Sequence, residues 1–187
     1  MHRYSTWRAM AMSWAGLVMP IAFATLSMIA QAGCTSAKES VSPASQNELL
    51  APNCALTSLI DTQLHELREI PGKVRYVDFW ASWCGPCAQS FPFMNTLTRE
   101  FRERGLQIVG INVDEQADAA NTFLQQHPAD FLILADATGV CPKSFKVMGM
   151  PSSYIIDRHG VIRYVHIGFR PGDAGELRKQ VEKLLAE

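Results

Sequence analysis

Cys84-Gly85-Pro86-Cys87 sets two thiols three positions apart, a spacing that lets them close and reopen a disulfide one helical turn long. The run Val74 to Trp80 (VRYVDFW) just before it reads as a buried strand, and a helical pattern starts at Pro86. A thiolate where strand gives way to helix faces unpaired backbone N–H groups and the positive end of the helix dipole, which lowers its pKa. Cys84 is therefore the candidate nucleophile and Cys87 the resolving thiol. Pro86 falls in the first helical turn, where its missing N–H costs nothing. Asp78 lies six residues before Cys84 inside an apolar strand, where an unpaired carboxylate is expensive to bury. A buried acid of raised pKa beside Cys87 would take and return its proton, directly or through a water. The alternative is a surface position at a sheet edge.

These residues need a scaffold, and the pattern supplies one. The strand Val74 to Trp80 enters through Pro71-Gly72. A helix from Pro86 to Arg104 carries Phe93, Leu97 and Phe101 on one face, and Gly105 ends it. Leu106 to Val113 is a second strand, so strand, helix and strand imply a right-handed parallel crossover. Ala117 to Gln126 reads as a helix stopped by Pro128, Phe131 to Leu134 as a short strand and Lys143 to Val147 as a short helix. Ser153 to Asp157 and Val161 to Ile167 form a hairpin about Arg158-His159-Gly160. A last helix, Gly175 to Ala186, packs Leu177, Val181, Leu184 and Leu185 on the sheet.

With those motifs in place, Tyr76 to Cys87 (YVDFWASWCGPC) resembles the active-site segment of the thioredoxin superfamily, and Gly149-Met150-Pro151 resembles its cis-proline turn. The resemblance covers about residues 55 to 187. It implies an α/β thioredoxin fold, a central mixed sheet flanked by helices. It also implies that Pro151 is cis and flanks the disulfide, that Trp83 packs beside Cys84, and that a substrate strand adds alongside Met150 through backbone hydrogen bonds. Asp114 and Pro151 stand 37 residues apart, room for an inserted helix and strand between the second core strand and the cis-proline. That insertion, with FWASWCGPC and IIDRHGVI, is similar to the exported TlpA-like and ResA-like thiol-disulfide oxidoreductases. Two positions depart from the pattern: Ser90 stands where those proteins often carry Glu, and Gly110 stands where thioredoxin has a lysine near its buried acid.

The N-terminus bears on the compartment. Arg3 and Arg8 precede a charge-free, mostly apolar run from Ala9 to Ala30, the pattern of an export leader over residues 1–33. Three endings compete: signal-peptidase cleavage after Ala30-Gln31-Ala32, lipidation of Cys34 within Ala32-Gly33-Cys34, which resembles a lipobox apart from Gln31, or no cleavage. Each places the rest of the chain outside the cytoplasm, with lipidation favoured. Residues 34–53 have linker composition, leaving a domain at 54–187. In an oxidising compartment Cys54 and Cys141 are candidates for a structural disulfide, against two independent buried thiols.

At 187 residues, 48% hydrophobic and 19% charged, the chain suits one domain plus an extension. Its net charge of −1 offers no basic face for nucleic acid. His65, His127, His159 and His166 fall at no metal-ligand spacing with one another or with the CxxC pair, so no metal site is assigned. No glycine-rich phosphate loop or G-x-S-x-G elbow is present. The expected activity is reduction of disulfides in exported proteins by a tethered, monomeric chain. It needs no cofactor beyond the Cys84–Cys87 disulfide and is recharged by a membrane thiol donor. Related chemistry serves apocytochrome c maturation. The competing readings are a dithiol oxidase or isomerase, and a copper-binding assembly protein.

Overall fold

A computed structural model describes residues 49–187. The leader, Cys34 and the linker up to residue 48 lie outside the described residues. Seven strands form one sheet: β1 (Ala55–Ser58), β2 (Leu64–Glu66), β3 (Val74–Trp80), β4 (Leu106–Asn112), β5 (Leu132–Ala135), β6 (Ser152–Ile156) and β7 (Ile162–Ile167). The helices are α1 (Gly85–Phe101), α2 (Ala117–Gln126), α3 (Val140–Ser144) and α4 (Ala174–Ala186). Spatial order is β2-β1-β5-β4-β3-β6-β7. The central strands β3, β4 and β5 run parallel, while β6 and β7 on one side and β1 and β2 on the other add antiparallel. This is the expected mixed thioredoxin-type sheet, with α2 and β5 as the insertion.

All seven residues of β3 are buried, so alternation sends their side chains into two cores. Tyr76 and Trp80 pack with Cys87 and Phe91 of α1, Phe123 of α2 and Leu177 and Val181 of α4. Val77 and Phe79 pack on the other side with Cys141, Phe145, Leu67 and Tyr154. On the first side Trp80, Phe91 and Phe123 meet at centroid distances of 4.9 to 5.1 Å, a range in which tilted and edge-to-face rings attract. This cluster seats the start of α1 on the end of β3.

Several expected boundaries moved. The expected linker 34–53 ends sooner: Leu50 pairs with Val161, Ala51 is buried, and the Ala51 N–H donates to the Gly160 carbonyl at 2.8 Å, so order reaches back at least to Leu49. The short helix expected at Lys143 to Val147 lies at Val140–Ser144. Asp136 sets that start, its carboxylate accepting the N–H groups of Thr138, Gly139 and Cys141. Pro142 then sits in the first turn, where proline is tolerated. On α1 the buried face is Phe91, Met94, Leu97 and Phe101, whereas Phe93 is half-buried against Phe169 at 5.6 Å. Pro92 lies within the helix on its exposed side.

Candidate active site

The β3 strand ends at Trp80, and the turn that follows is tied from two directions. Val113 N–H donates to the Trp80 carbonyl at 3.0 Å. The Asp114 carboxylate accepts the Ser82 N–H at 2.9 Å, the Ser82 hydroxyl at 3.1 Å and the Asn112 amide at 2.8 Å. This latch fixes the residues leading into Cys84. The sequence signal for it was a polar pair, Asn112 and Asp114, closing an apolar strand.

Cys84 is the N-cap of α1, and its Sγ accepts the Cys87 N–H at 3.2 Å. The sulfur thus faces a donor of the first helical turn, the Cys87 N–H, which it shares with the Cys84 carbonyl at 3.1 Å, at the strand-to-helix junction the sequence indicated. Cys84 and Cys87 are joined in a disulfide with Cα atoms 5.3 Å apart. Cys87 is fully enclosed, and what little exposure the pair has belongs to Cys84, at 4%. Around it Gly85 and Pro86 are exposed, and Trp83, expected beside Cys84, leaves 72% of its surface in solvent. Met150–Pro151 is a cis peptide, as the resemblance implied. Pro151 and its turn are held by Gly168 N–H donating to the Pro151 carbonyl at 2.7 Å and Ser152 Oγ donating to the Gly149 carbonyl at 2.7 Å. Met150 is half-buried, and its own N–H and C=O have no hydrogen-bond partner among the described residues.

Asp78 is completely buried, not at a surface edge. Alternation puts it on the side of β3 that carries Tyr76 and Trp80, hence in the layer that encloses Cys87. Ser153 Oγ donates to Asp78 Oδ1 at 2.6 Å, while Oδ2 is buried with no partner among the described residues. Burial pushes the Asp78 carboxyl up to about 7, outweighing the Ser153 bond, which pulls the other way. The Tyr76 hydroxyl donates to Ser153 Oγ at 2.9 Å, completing a buried line from tyrosine through serine to carboxylate. Its own pKa is driven well above the ordinary value, by burial first and by Asp78 second. Sequence reading did not single out Tyr76 or Ser153 for this role. The available signal was a pair of serines, Ser152 and Ser153, opening the otherwise apolar strand that follows Pro151.

The two departures from the family pattern have physical explanations. Gly110 lies opposite Asp78 in the β3–β4 register. A Cβ there would stand 3.0 Å from Ile133 Cδ1 and Phe131 Cε2 and 3.2 Å from Trp80 Nε1, so aromatic packing occupies the space a lysine would need. Ser90 is buried and its hydroxyl donates to the Cys87 carbonyl at 3.0 Å. Asp78 is therefore the acid in this layer. Away from the site, Cys54 and Cys141, for which the sequence left a disulfide and two independent thiols both open, are disulfide-bonded across 87 positions, tying the entry to β1 to the start of α3.

A thioredoxin-type sheet carrying a disulfide at the start of a helix, with a cis-proline in the turn before β6, defines a dithiol-disulfide redox protein. Residues 45–185 match the Redoxin family, and the chain belongs to it. It is similar to the thiol-disulfide oxidoreductase ResA of Bacillus subtilis (strain 168), 30% identical over 131 residues, 70% of each protein. A ResA of Bacillus thuringiensis subsp. konkukian is 33% identical over 112 residues, 60% of this chain, and the match spans 64% of that relative's own length. A crystal structure of a candidate thiol:disulfide interchange protein DsbE from Chlorobium tepidum superposes with a TM-score of 0.70 at 42% identity. It covers 74% of this chain and 96% of that one.

Proposed function

We propose that this chain is an extracytoplasmic, membrane-tethered thiol-disulfide oxidoreductase that reduces disulfides in exported proteins. The observation that carries the reading is the Cys84–Cys87 disulfide capping α1, with one buried carboxyl in the layer behind it. In the reduced form the Cys84 thiolate, held by the helix N-terminus, attacks one sulfur of a substrate disulfide, and the other substrate sulfur leaves as a thiolate. Asp78 then takes the Cys87 proton, and the Cys87 thiolate attacks Cys84 Sγ. The second substrate thiol is released and the Cys84–Cys87 disulfide re-forms. Two electrons have passed to the substrate, so a thiol donor must return two; an exported chain needs that donor outside the cytoplasm, and a membrane thiol protein is the source this reading assigns.

Trp83 and the free backbone groups of Met150 support the substrate-binding part of the reading. An extended segment can pair with Met150 beside the disulfide and lay a side chain on the exposed indole. Gly85 and Pro86 leave the approach to Cys84 open. The tether rests on the leader pattern and the lipidation signal at Cys34, since among the described residues no helix is long and apolar enough to cross a membrane. The domain is expected to act as a monomer.

The test is the equilibrium reduction potential of the Cys84 and Cys87 pair against glutathione or dithiothreitol, together with insulin reduction. A potential near the about −270 mV of thioredoxin, with insulin reduced above the dithiothreitol background, is the expected result. A potential near about −120 mV would make the chain an oxidant and reverse the direction.

A further inference from the structure

Arg75 is the second residue of β3, and alternation turns it away from Asp78 into the opposite core. It is 8% exposed, an unusual fate for a guanidinium unless an anion accompanies it. Its Nη1 donates to the Leu67 and Arg68 carbonyls at 3.4 and 3.0 Å. Its Nε is buried with no partner among the described residues. Its Nη2 reaches Gly160, where an added Cβ would stand only 3.7 Å away. Asp157 is the acid whose field it feels, but both oxygens of that carboxylate are engaged. Oδ1 accepts the His159 and Val161 N–H groups, and Oδ2 pairs with Arg163 at 3.0 Å. Burial is the largest influence on Arg75 and disfavours its charge, and Arg68 nearby disfavours it further.

The guanidinium lies in the wall of a cavity of about 330 Å³ whose other lining includes Arg68, Arg158, His159, Ala51 and Gly160. Among the described residues no carboxylate lines it. Arg68 is braced by donating Nε and Nη2 to the Ala51 carbonyl at 3.3 and 3.1 Å. Arg158 and His159 are exposed at the hairpin tip that forms the rim. Three guanidinium groups about one hollow match a tetrahedral oxyanion, which offers several acceptor oxygens to planar donor forks.

We propose that this cavity is a binding site for a phosphate group, with Arg75 at its wall and Arg68 and Arg158 closing on the anion. The phosphate is either a free monoester-type anion or the phosphodiester of a lipid headgroup. Residues Leu50 to Pro52, at the start of the described residues, also line the hollow. The site is independent of the redox chemistry: it opens on the other face of β3, and Arg75 precedes Trp80 by roughly 17 Å of strand.

The experiment is calorimetric titration of the full chain in a nonionic detergent, with sodium chloride at matched ionic strength as background. One arm uses inorganic phosphate and the other the soluble headgroup analogue glycerophosphoglycerol. Saturable binding of one equivalent is expected. Arg158→Gln, which changes an exposed side chain, is expected to weaken it about tenfold, the equivalent of about 1.4 kcal/mol, and Arg158→Lys to restore part of the loss. Tighter binding of the diester identifies a lipid headgroup, and tighter binding of inorganic phosphate a free anion. Absence of saturable binding in both arms overturns the proposal. So does wild-type affinity in an Arg68→Gln, Arg158→Gln double variant. Either failure would leave insulin reduction, and the reading built on it, untouched.

Discussion

Ser153 Oγ stands 2.6 Å from Asp78 Oδ1, on the residue paired with Asp78 across the β3–β6 ladder. The strand register that builds the sheet therefore also brings to the buried carboxyl its one hydrogen-bond donor among the described residues, and Tyr76, two residues before Asp78, supplies the next link. Because that donor favours the ionised form, its loss should leave burial unopposed. Ser153→Ala is expected to raise the Asp78 titration midpoint above about 7, and Ser153→Thr to return it. Infrared spectra of the carboxyl stretch across pH, with Asp78→Asn to assign the band, read this directly. An unmoved midpoint in Ser153→Ala would separate the bond from the tuning.

The same carboxyl makes stability depend on pH. In the folded, oxidised protein Asp78 keeps its proton up to about pH 7, whereas unfolded it releases the proton near the ordinary value of 3.8. Between those values the folded state holds the extra proton, so the contribution of Asp78 to stability is greatest below about pH 4, falls as pH rises to about 7, and then levels. The contribution lost is about 4 kcal/mol by linkage. Asp78→Asn lacks this contribution. Relative to the wild type it should therefore gain about that much stability on going from pH 4 to pH 8, measured by urea unfolding of the oxidised proteins. A pH-independent difference between the two would mean that Asp78 titrates normally.

The parts of this arrangement that could be seen in the sequence are those written in contiguous patterns. Val74 to Trp80 was legible because a run of β-branched and aromatic residues is interrupted only by Arg75 and Asp78, and both polar exceptions turn out to be buried. The α2 helix was legible from its period and from Pro128 beyond its end. Cys84 at the α1 N-cap followed from the junction of the two patterns. The β1 and β2 strands were missed because ALTS and LHE offer neither an apolar run nor an alternation long enough to register, whereas β5, also four residues long, is the continuous apolar run LILA. The Ser82–Asp114 latch and the Tyr76–Ser153–Asp78 line join residues 32 to 77 positions apart, so they depend on register, which no local window contains. The pairing of Cys54 with Cys141 has the same character: composition suggested it, and only the fold brings the two together.

That second disulfide should hold the fold without taking part in exchange. Burial does not separate the two pairs, since Cys54 and Cys141 are 6% and 1% exposed and Cys84 and Cys87 4% and 0%. What separates them is that Cys84 caps the 17-residue α1, whose N-terminus can hold a thiolate, whereas Cys54 precedes a strand and Cys141 sits inside the five-residue α3. Closing a loop over a separation of 87 residues restricts the unfolded chain by about 4 to 5 kcal/mol in the chain-entropy account. The Cys54→Ser, Cys141→Ser double variant should lose stability of that order in urea unfolding while still reducing insulin at a temperature where it remains folded. Loss of insulin reduction in the folded variant would mark Cys54 and Cys141 as a second redox pair.

Gly110 supplies a steric test of the packing above Asp78. Its would-be Cβ meets Phe131, Ile133 and the Trp80 indole at 3.0 to 3.2 Å, and these neighbours belong to the same buried cluster as Phe91 and Phe123. None has solvent to retreat into, since Trp80 is fully enclosed and Phe131 and Ile133 are buried. A single added methyl must displace the aromatic group, a cost of about 1 to 3 kcal/mol for an overpacked core. Gly110→Ala is therefore expected to destabilise the oxidised protein by that amount in urea unfolding. Gly110→Lys, which would restore the thioredoxin residue, should fail to fold, because the ammonium would have to enter this aromatic layer. A stable, soluble Gly110→Lys protein would show that the layer can open and that the thioredoxin arrangement of lysine and acid is accessible to this chain.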